Sequence, residues 1–270
     1  MKSITVFFDL EAPFLWKCED KFNLEQSLQN ISDVLSQFKV KAVLNTCGVV
    51  ANAFPQLIKM LHDKGHEVAS HGYAHENFAK MSTTELDDTL SRTERILQGI
   101  IGEKPVGVRA PWLLTNEKVF DVLNRRKYAW SSNMHIPFWA TKSQVEFGGS
   151  SYLKWMLGRT IYEFKRFFQR KDPFRINSLL EIPLLSPMDI FCIYPFPQAN
   201  KSSPLSSLEE AYGILVRHYN TSKTYFNLNF HEHIIGTTNR IQLLEKTLRF
   251  LSEQPDASFV LPCQLASSSC

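Results

Sequence analysis

The sequence has no apolar stretch near the roughly eighteen residues needed to span a bilayer, so no transmembrane helix is expected. Its first residues, Met1-Lys2-Ser3-Ile4-Thr5-Val6-Phe7-Phe8-Asp9, meet an acid before an apolar core of a leader can build, and no small-residue cleavage site follows. No secretory leader is therefore expected, and the expected location is cytoplasmic. Cysteine is sparse. Cys18, Cys47, Cys192, Cys263 and Cys270 lie far apart with no C-x-x-C pair, which argues against a disulfide framework or a thiolate zinc site. Charge of one sign is not in excess: 30 basic and 27 acidic residues give a net charge of +3, so composition offers no case for a nucleic-acid partner. No Pro/Gly/Ser-rich linker divides the chain. A single domain over 1–270 is expected, with 44% hydrophobic residues to build its core.

What is present is an alternation of two periodicities. Dense β-branched and aromatic runs at 4–8, 40–45, 65–70, 105–109, 128–132, 179–183, 225–231 and 258–261 read as strands. Between them lie stretches with helical spacing: Leu24, Leu28, Ile31, Val34, Leu35 and Phe38 after Asn23, a run over 54–64 stopped by Gly65, and a run opened by the capping-box pattern Ser82-Thr83-Thr84-Glu85. Thr115 is expected to cap the helix through Val119, Phe120 and Leu123. Strands alternating with helices imply an α/β fold with a parallel sheet. About seven such units in this length suggest a single distorted (β/α)7-type barrel with parallel strands, closed or nearly so.

Polar residues then fall where strands run out. Asp9 and Glu11 follow the first strand, and strand alternation points both the same way. His71 and His75 follow the third at a spacing that, on a helical turn, puts both imidazoles on one face. Arg109 ends the fourth strand and His231 the last long one. In barrels of this kind the strand C-terminal ends build the site. A lone H-x3-H is weak evidence; the shared position of all six residues weighs more.

In this order the motifs resemble those of the polysaccharide deacetylase family (carbohydrate esterase family 4). They are Phe8-Asp9-Leu10-Glu11, His71 to His75, Arg109-Ala110-Pro111-Trp112 and Leu228-Asn229-Phe230-His231. The resemblance implies a divalent metal, zinc first with nickel or cobalt next, held by Glu11, His71 and His75. It implies Asp9 as general base, Arg109 as the cation that orients it, the Trp112 backbone N–H at the developing oxyanion, and His231 as general acid, with Tyr73 and Pro111 in contact with substrate. The pattern departs from the family in having Asp-x-Glu where adjacent aspartates are usual, which leaves open which of Asp9 and Glu11 binds the metal. Gly72 stands where Ser or Thr is usual. For the Asp that tunes the late histidine, Asp189 is a candidate, and His233 is an extra histidine. Tyr73-Ala74-His75-Glu76-Asn77 and Arg109-Ala110-Pro111-Trp112 are nearer the peptidoglycan-deacetylase and cyclic-imide-hydrolase branch. The implied activity is metal-dependent removal of an N-acyl group, acetyl first, from an amino sugar of a polysaccharide or lipid-linked saccharide. A cyclic imide or ureide amidohydrolase on the same scaffold is the first alternative, and a silent glycan-binding barrel the second.

The stretch 151–171 stands apart. Leu153, Leu157, Ile161, Phe164 and Phe168 form an apolar helical stripe, with Lys154, Arg159, Lys165, Arg166, Arg170 and Lys171 largely off it. Docking on the barrel core is the first reading of this inserted segment. Peripheral contact with the membrane's inner face is the second.

Overall fold

The computed structural model describes residues 1–11, 22–133, 171–186, 189 and 208–268. The inserted segment 151–171 thus lies, but for Lys171, outside the described residues. Among them, a sheet runs in the order β6 (Phe174–Ile176), β7 (Leu179–Glu181), β5 (Trp130–Ser131), β4 (Gly107–Val108), β3 (Glu67–Ser70), β2 (Val43–Thr46), β1 (Lys2–Leu10), β8 (Tyr225–His231), with β9 (Ala257–Phe259) also on β1. Every pairing is parallel except β6 with β7. The antiparallel edge strand β6 and the brevity of β4 and β5 were not expected; the other strands fall where the apolar runs are. The sheet curls. Beyond β7, the Asn227 side chain of β8 donates to Pro183 O at 2.8 Å and accepts from Leu185 N–H at 2.9 Å, so an amide side chain does there what a strand backbone would.

Helices α1 (Leu24–Gln37), α2 (Gly48–Ala53), α3 (Pro55–Asp63), α4 (Thr83–Ile101), α5 (Glu117–Arg125), α6 (Leu208–Thr221), α7 (Glu232–Ile235), α8 (Ile241–Ser252) and α9 (Pro262–Ser268) accompany the strands. Asn23 caps α1 by accepting from Gln26 N–H at 3.0 Å. Ser82 and Glu85 close a reciprocal capping box on α4. The cap of α5 is Asn116, not Thr115: its side-chain oxygen accepts from Val119 N–H at 3.1 Å, which places the helix start one residue later. Among the described residues no helix is long and apolar enough to cross a membrane.

Strand alternation divides β1 between two environments. Ile4, Val6, Phe8 and Leu10 join the large core under the helices, together with Leu44 of β2 and Phe226, Leu228 and Phe230 of β8. Phe7 instead packs inside the curled sheet with Val43, Ala69, Trp130, Leu180 and Tyr225. That inward layer is apolar. Gly107 is required within it: a Cβ there would lie 2.0 Å from the Trp130 ring. Two residues further along, the inward positions turn polar at Asp9, Asn45 and Arg109, and β8 is polar inward at both Asn227 and Asn229, all buried. Register aligns Asp9 with Asn45 on one side and with His231 on the other. The site is this upper layer of the lumen.

Candidate active site

Arg109 is fully buried with its guanidinium carbon 4.4 Å from the Phe7 ring centre, a cation standing on the apolar floor. Its donors are met from three strands or strand ends. Nη1 donates to Asp9 Oδ1 at 2.8 Å, Nη2 to Asn229 Oδ1 at 2.9 Å and to Ser132 Oγ at 3.0 Å, and Nε to Ser132 O at 3.2 Å. Asp9 Oδ1 takes a second bond from Asn45 Nδ2 at 2.7 Å. Burial by itself pushes the Asp9 carboxyl up, but Arg109, with His71 and His231, outweighs it and holds the group below its ordinary range. Asp9 is therefore an ionised carboxylate in a buried position.

Glu11 lies one alternation further on, also buried. Its backbone N–H donates to Glu232 Oε1 at 3.1 Å, which ties the end of β1 to the start of α7. Imidazole nitrogens surround its carboxylate: His75 Nε2 at 2.6 Å and His71 Nε2 at 3.6 Å from Oε2, and His231 Nε2 at 3.4 Å from Oε1. Glu11 is held well below the usual carboxylate range. Burial opposes this; His231, His71 and His75 prevail. Neither carboxylate oxygen receives a hydrogen bond of ordinary geometry, although both are buried.

That combination fits a cation. His71 Nδ1 lies 2.9 Å from Arg109 O, a carbonyl that can only accept, so Nδ1 carries the proton and Nε2 keeps its lone pair. Ligand atoms of Glu11, His71 and His75 all fall within 4.8 Å of one another. Two imidazoles and one carboxylate are a donor set for a divalent ion with an open position.

The two histidines do not meet through a helical turn, as the spacing suggested. Residues 71–77 form a loop in which Gly72 (φ +73°) and His75 (φ +60°) are left-handed. For a non-glycine residue this costs about 1–2 kcal/mol. The loop is held by Gly48 N–H to Gly72 O at 3.0 Å and Val49 N–H to Tyr73 O at 2.9 Å. Tyr73 stands at its outer side, its ring against Gly48 and under Arg92, whose guanidinium carbon is 3.4 Å from the ring centre. Pro111 is buried, and a Cβ on Gly72 would be 3.3 Å from its ring. Trp112 is 53% exposed and its ring centre is 4.8 Å from that of His75. Trp112 and Leu113 both have positive φ (59° and 58°), so the turn after Pro111 is strained.

On the opposite flank, His231 is clasped by Asp189. Asp189 Oδ1 is 2.7 Å from Nδ1, and Oδ2 accepts the His231 backbone N–H at 2.7 Å. Burial lowers the imidazole's proton affinity, yet Asp189, then Glu11 and Asp9, push it up to about 10. Asp189 thus occupies the position of the tuning carboxylate. His233 is buried with its ring centre 5.5 Å from that of His231 and Nδ1 3.7 Å from Glu232 Oε2. The structure accordingly gathers Asp9, Glu11, His71, His75, Arg109 and His231 into one cleft, with Trp112 on its rim and Tyr73 behind it. Asn45, Ser132, Asn229 and Glu232 escaped the sequence reading. The signal for Asn45 and Asn229 was there: each is a polar residue at an inward position of an otherwise apolar strand.

The family model described as polysaccharide deacetylase matches residues 2–130. A peptidoglycan-N-acetylglucosamine deacetylase of Bacillus cereus is 32% identical over 121 residues, 45% of this chain and 42% of the relative. A peptidoglycan deacetylase of Helicobacter pylori is 30% identical over 97 residues, 34% of this chain and 33% of the relative. The chain thus spans less than half the length of these curated relatives. A polysaccharide deacetylase crystal structure from Mycobacterium smegmatis superposes over 98% of this chain and 89% of its own with a TM-score of 0.78 at 17% identity, which shows a common fold. The matched model ends in β5, and β8, beyond its reach, brings His231 to the same cleft: the first half of the chain is similar to the polysaccharide deacetylase family, and the fold is shared over nearly its whole length.

Proposed function

We propose that the protein is a metal-dependent hydrolase that removes an N-acyl group, acetyl first, from an amino sugar of a polysaccharide or lipid-linked saccharide. The observation that carries this reading is the division of the cleft. An ionised carboxylate, Asp9 on Arg109, and a protonated imidazole, His231 on Asp189, flank Glu11, His71 and His75. Amide hydrolysis needs a base for the attacking water and an acid for the departing nitrogen, with pKa values set apart by their surroundings.

Glu11, His71 and His75 would hold the divalent ion, zinc first. When bound it supplies Lewis acidity toward the amide carbonyl and toward a water whose pKa it lowers to about 7. Asp9 takes the proton of the attacking water, and Arg109 with Asn45 keeps that carboxylate charged and aimed. His231 gives its proton to the leaving amine as the carbon–nitrogen bond breaks. The Trp112 N–H would donate to the developing oxyanion, and Pro111 would shape the adjoining wall.

The test is acetate release from N-acetylglucosamine oligomers and from lipid-linked N-acetylated sugars, with bound metal measured on the same preparation. Release that depends on metal supports the reading. Turnover of cyclic imides or ureides in place of acetylated sugars would move the activity to the alternative, and a metal-loaded protein that turns over none of them is a binding barrel. The basic, aromatic run 151–171 is proposed, on its composition alone, to contact anionic lipid. Equal pelleting with anionic liposomes of the wild type and a Trp155→Ser/Phe164→Ser/Phe168→Ser variant would remove that part.

A further inference from the structure

We infer that Glu76 is a positioning residue for His75: its carboxylate locks the 71–76 loop in the form that turns His75 toward Glu11, and so sets metal affinity without touching the metal. The inference rests on the reading of Glu11, His71 and His75 as the metal-binding set.

The loop needs a lock. It contains two left-handed residues, Gly72 and His75, and the second is not glycine, so the conformation is not one the chain adopts unaided. From outside, the N–H groups of Gly48 and Val49 at the start of α2 hold the carbonyls of Gly72 and Tyr73 at 3.0 and 2.9 Å. Both bonds lie before His75. Glu76 adds an anchor from beyond it. Its Oε2 accepts the Tyr73 N–H at 3.0 Å, closing the chain across Ala74 and His75.

The same oxygen explains Gly72. A Cβ on residue 72 would stand 2.9 Å from Glu76 Oε2 and 3.2 Å from the Phe78 ring. The carboxylate has folded back into space that exists only because residue 72 has no side chain. Gly72 and Glu76 are thus one device: the glycine makes room and the glutamate fills it. With the turn closed on both sides, His75 has one direction left, and its Nε2 meets Glu11 Oε2 at 2.6 Å. Residues that orient a ligand without binding metal typically change affinity by about 10–100-fold when removed.

The experiment compares wild type, Glu76→Ala and Glu76→Gln for zinc affinity, by competition with a chromogenic chelator, and for exchange of the Tyr73 amide hydrogen in the metal-free protein. Glutamine keeps a carbonyl oxygen for the Tyr73 N–H. The expected result is zinc affinity about 10–100-fold weaker in Glu76→Ala and within about 3-fold of wild type in Glu76→Gln, with Tyr73 exchange fast only in the alanine variant. A purely structural role would lower the melting temperature of Glu76→Ala and leave zinc affinity unchanged; that result overturns the inference. So does a glutamine variant as weak as the alanine one, because charge rather than the Tyr73 bond would then be responsible. Wild-type protein that holds no zinc overturns the metal reading itself, and is told apart because it fails before any substitution is made.

Discussion

Arg109 and Asp9 form a buried ion pair, Nη1 to Oδ1 at 2.8 Å, on residues a hundred positions apart. Burying two charges is costly, and the pair is sustained only because the remaining guanidinium donors are met by Ser132 and Asn229 and the acid is met again by Asn45. Nothing in the packing alone asks for such an arrangement. A charged carboxylate held buried beside Glu11, His71 and His75 has a chemical use in the proposed enzyme and none in a barrel that only binds, so the variants below tell the two apart.

Asp9→Asn therefore retains zinc while kcat falls by about 10²–10⁴-fold, the usual contribution of a positioned base. Glu11→Gln and His71→Ala lose zinc. Metal content after gel filtration and initial rates of acetate release read both effects. Should Asp9→Asn lose the metal and Glu11→Gln keep it, the roles of the two carboxylates are reversed.

Asp189→Asn is expected to fold and to hold zinc but to lose at least about 10-fold in kcat, because the His231 ring loses the carboxylate that fixes its Nδ1–H and keeps it charged. KM should change little, since Asp189 faces the imidazole. A variant with wild-type kcat would remove Asp189 from the acid machinery.

Gly107→Ala introduces a Cβ 2.0 Å from the Trp130 ring, inside the apolar layer under the site. Trp130 is fully buried and its Nε1 is anchored to Glu67 at 2.6 Å, so the ring has little room to yield. A loss of about 3 kcal/mol, or a melting temperature lower by about 6–12 °C, is expected by circular dichroism. Adding Trp130→Leu should recover part of it.

His66 gives a pH signature unrelated to catalysis. Its Nδ1 accepts from Ala42 N–H at 3.1 Å, and burial, with Lys41 and Lys64 nearby, pushes its pKa down to about 4. The unfolded chain, with its ordinary value near 6.5, binds the proton first. The stability His66 contributes is thus complete above about pH 6.5 and falls as pH drops toward 4, by at most about 1.4 kcal/mol per unit. His66→Asn, whose Oδ1 can take the place of Nδ1, should flatten urea-derived stability across that window. An unchanged slope would exclude His66 as its source.

The sequence by itself determined the strands other than β6, which of their residues point inward, and hence that Asp9, Glu11, Arg109 and His231 share one end of the lumen. These follow from the alternation of side chains along a strand, a property of the local backbone that leaves its mark in the order of apolar residues. Asn23 and the Ser82–Glu85 box were legible for the same reason: each bond spans only three residues. Only the tertiary structure decided the partners. Asp189 meets His231 across 42 positions and Glu232 meets the backbone of Glu11 across 221, and such pairings depend on how far the sheet curls and in what register β8 meets β1. The histidine loop was misread as a helical turn because i, i+4 spacing is shared by helices and by a tight loop; the left-handed backbone at Gly72 and His75 is fixed by contacts with Gly48, Val49 and Glu76, which no local pattern records.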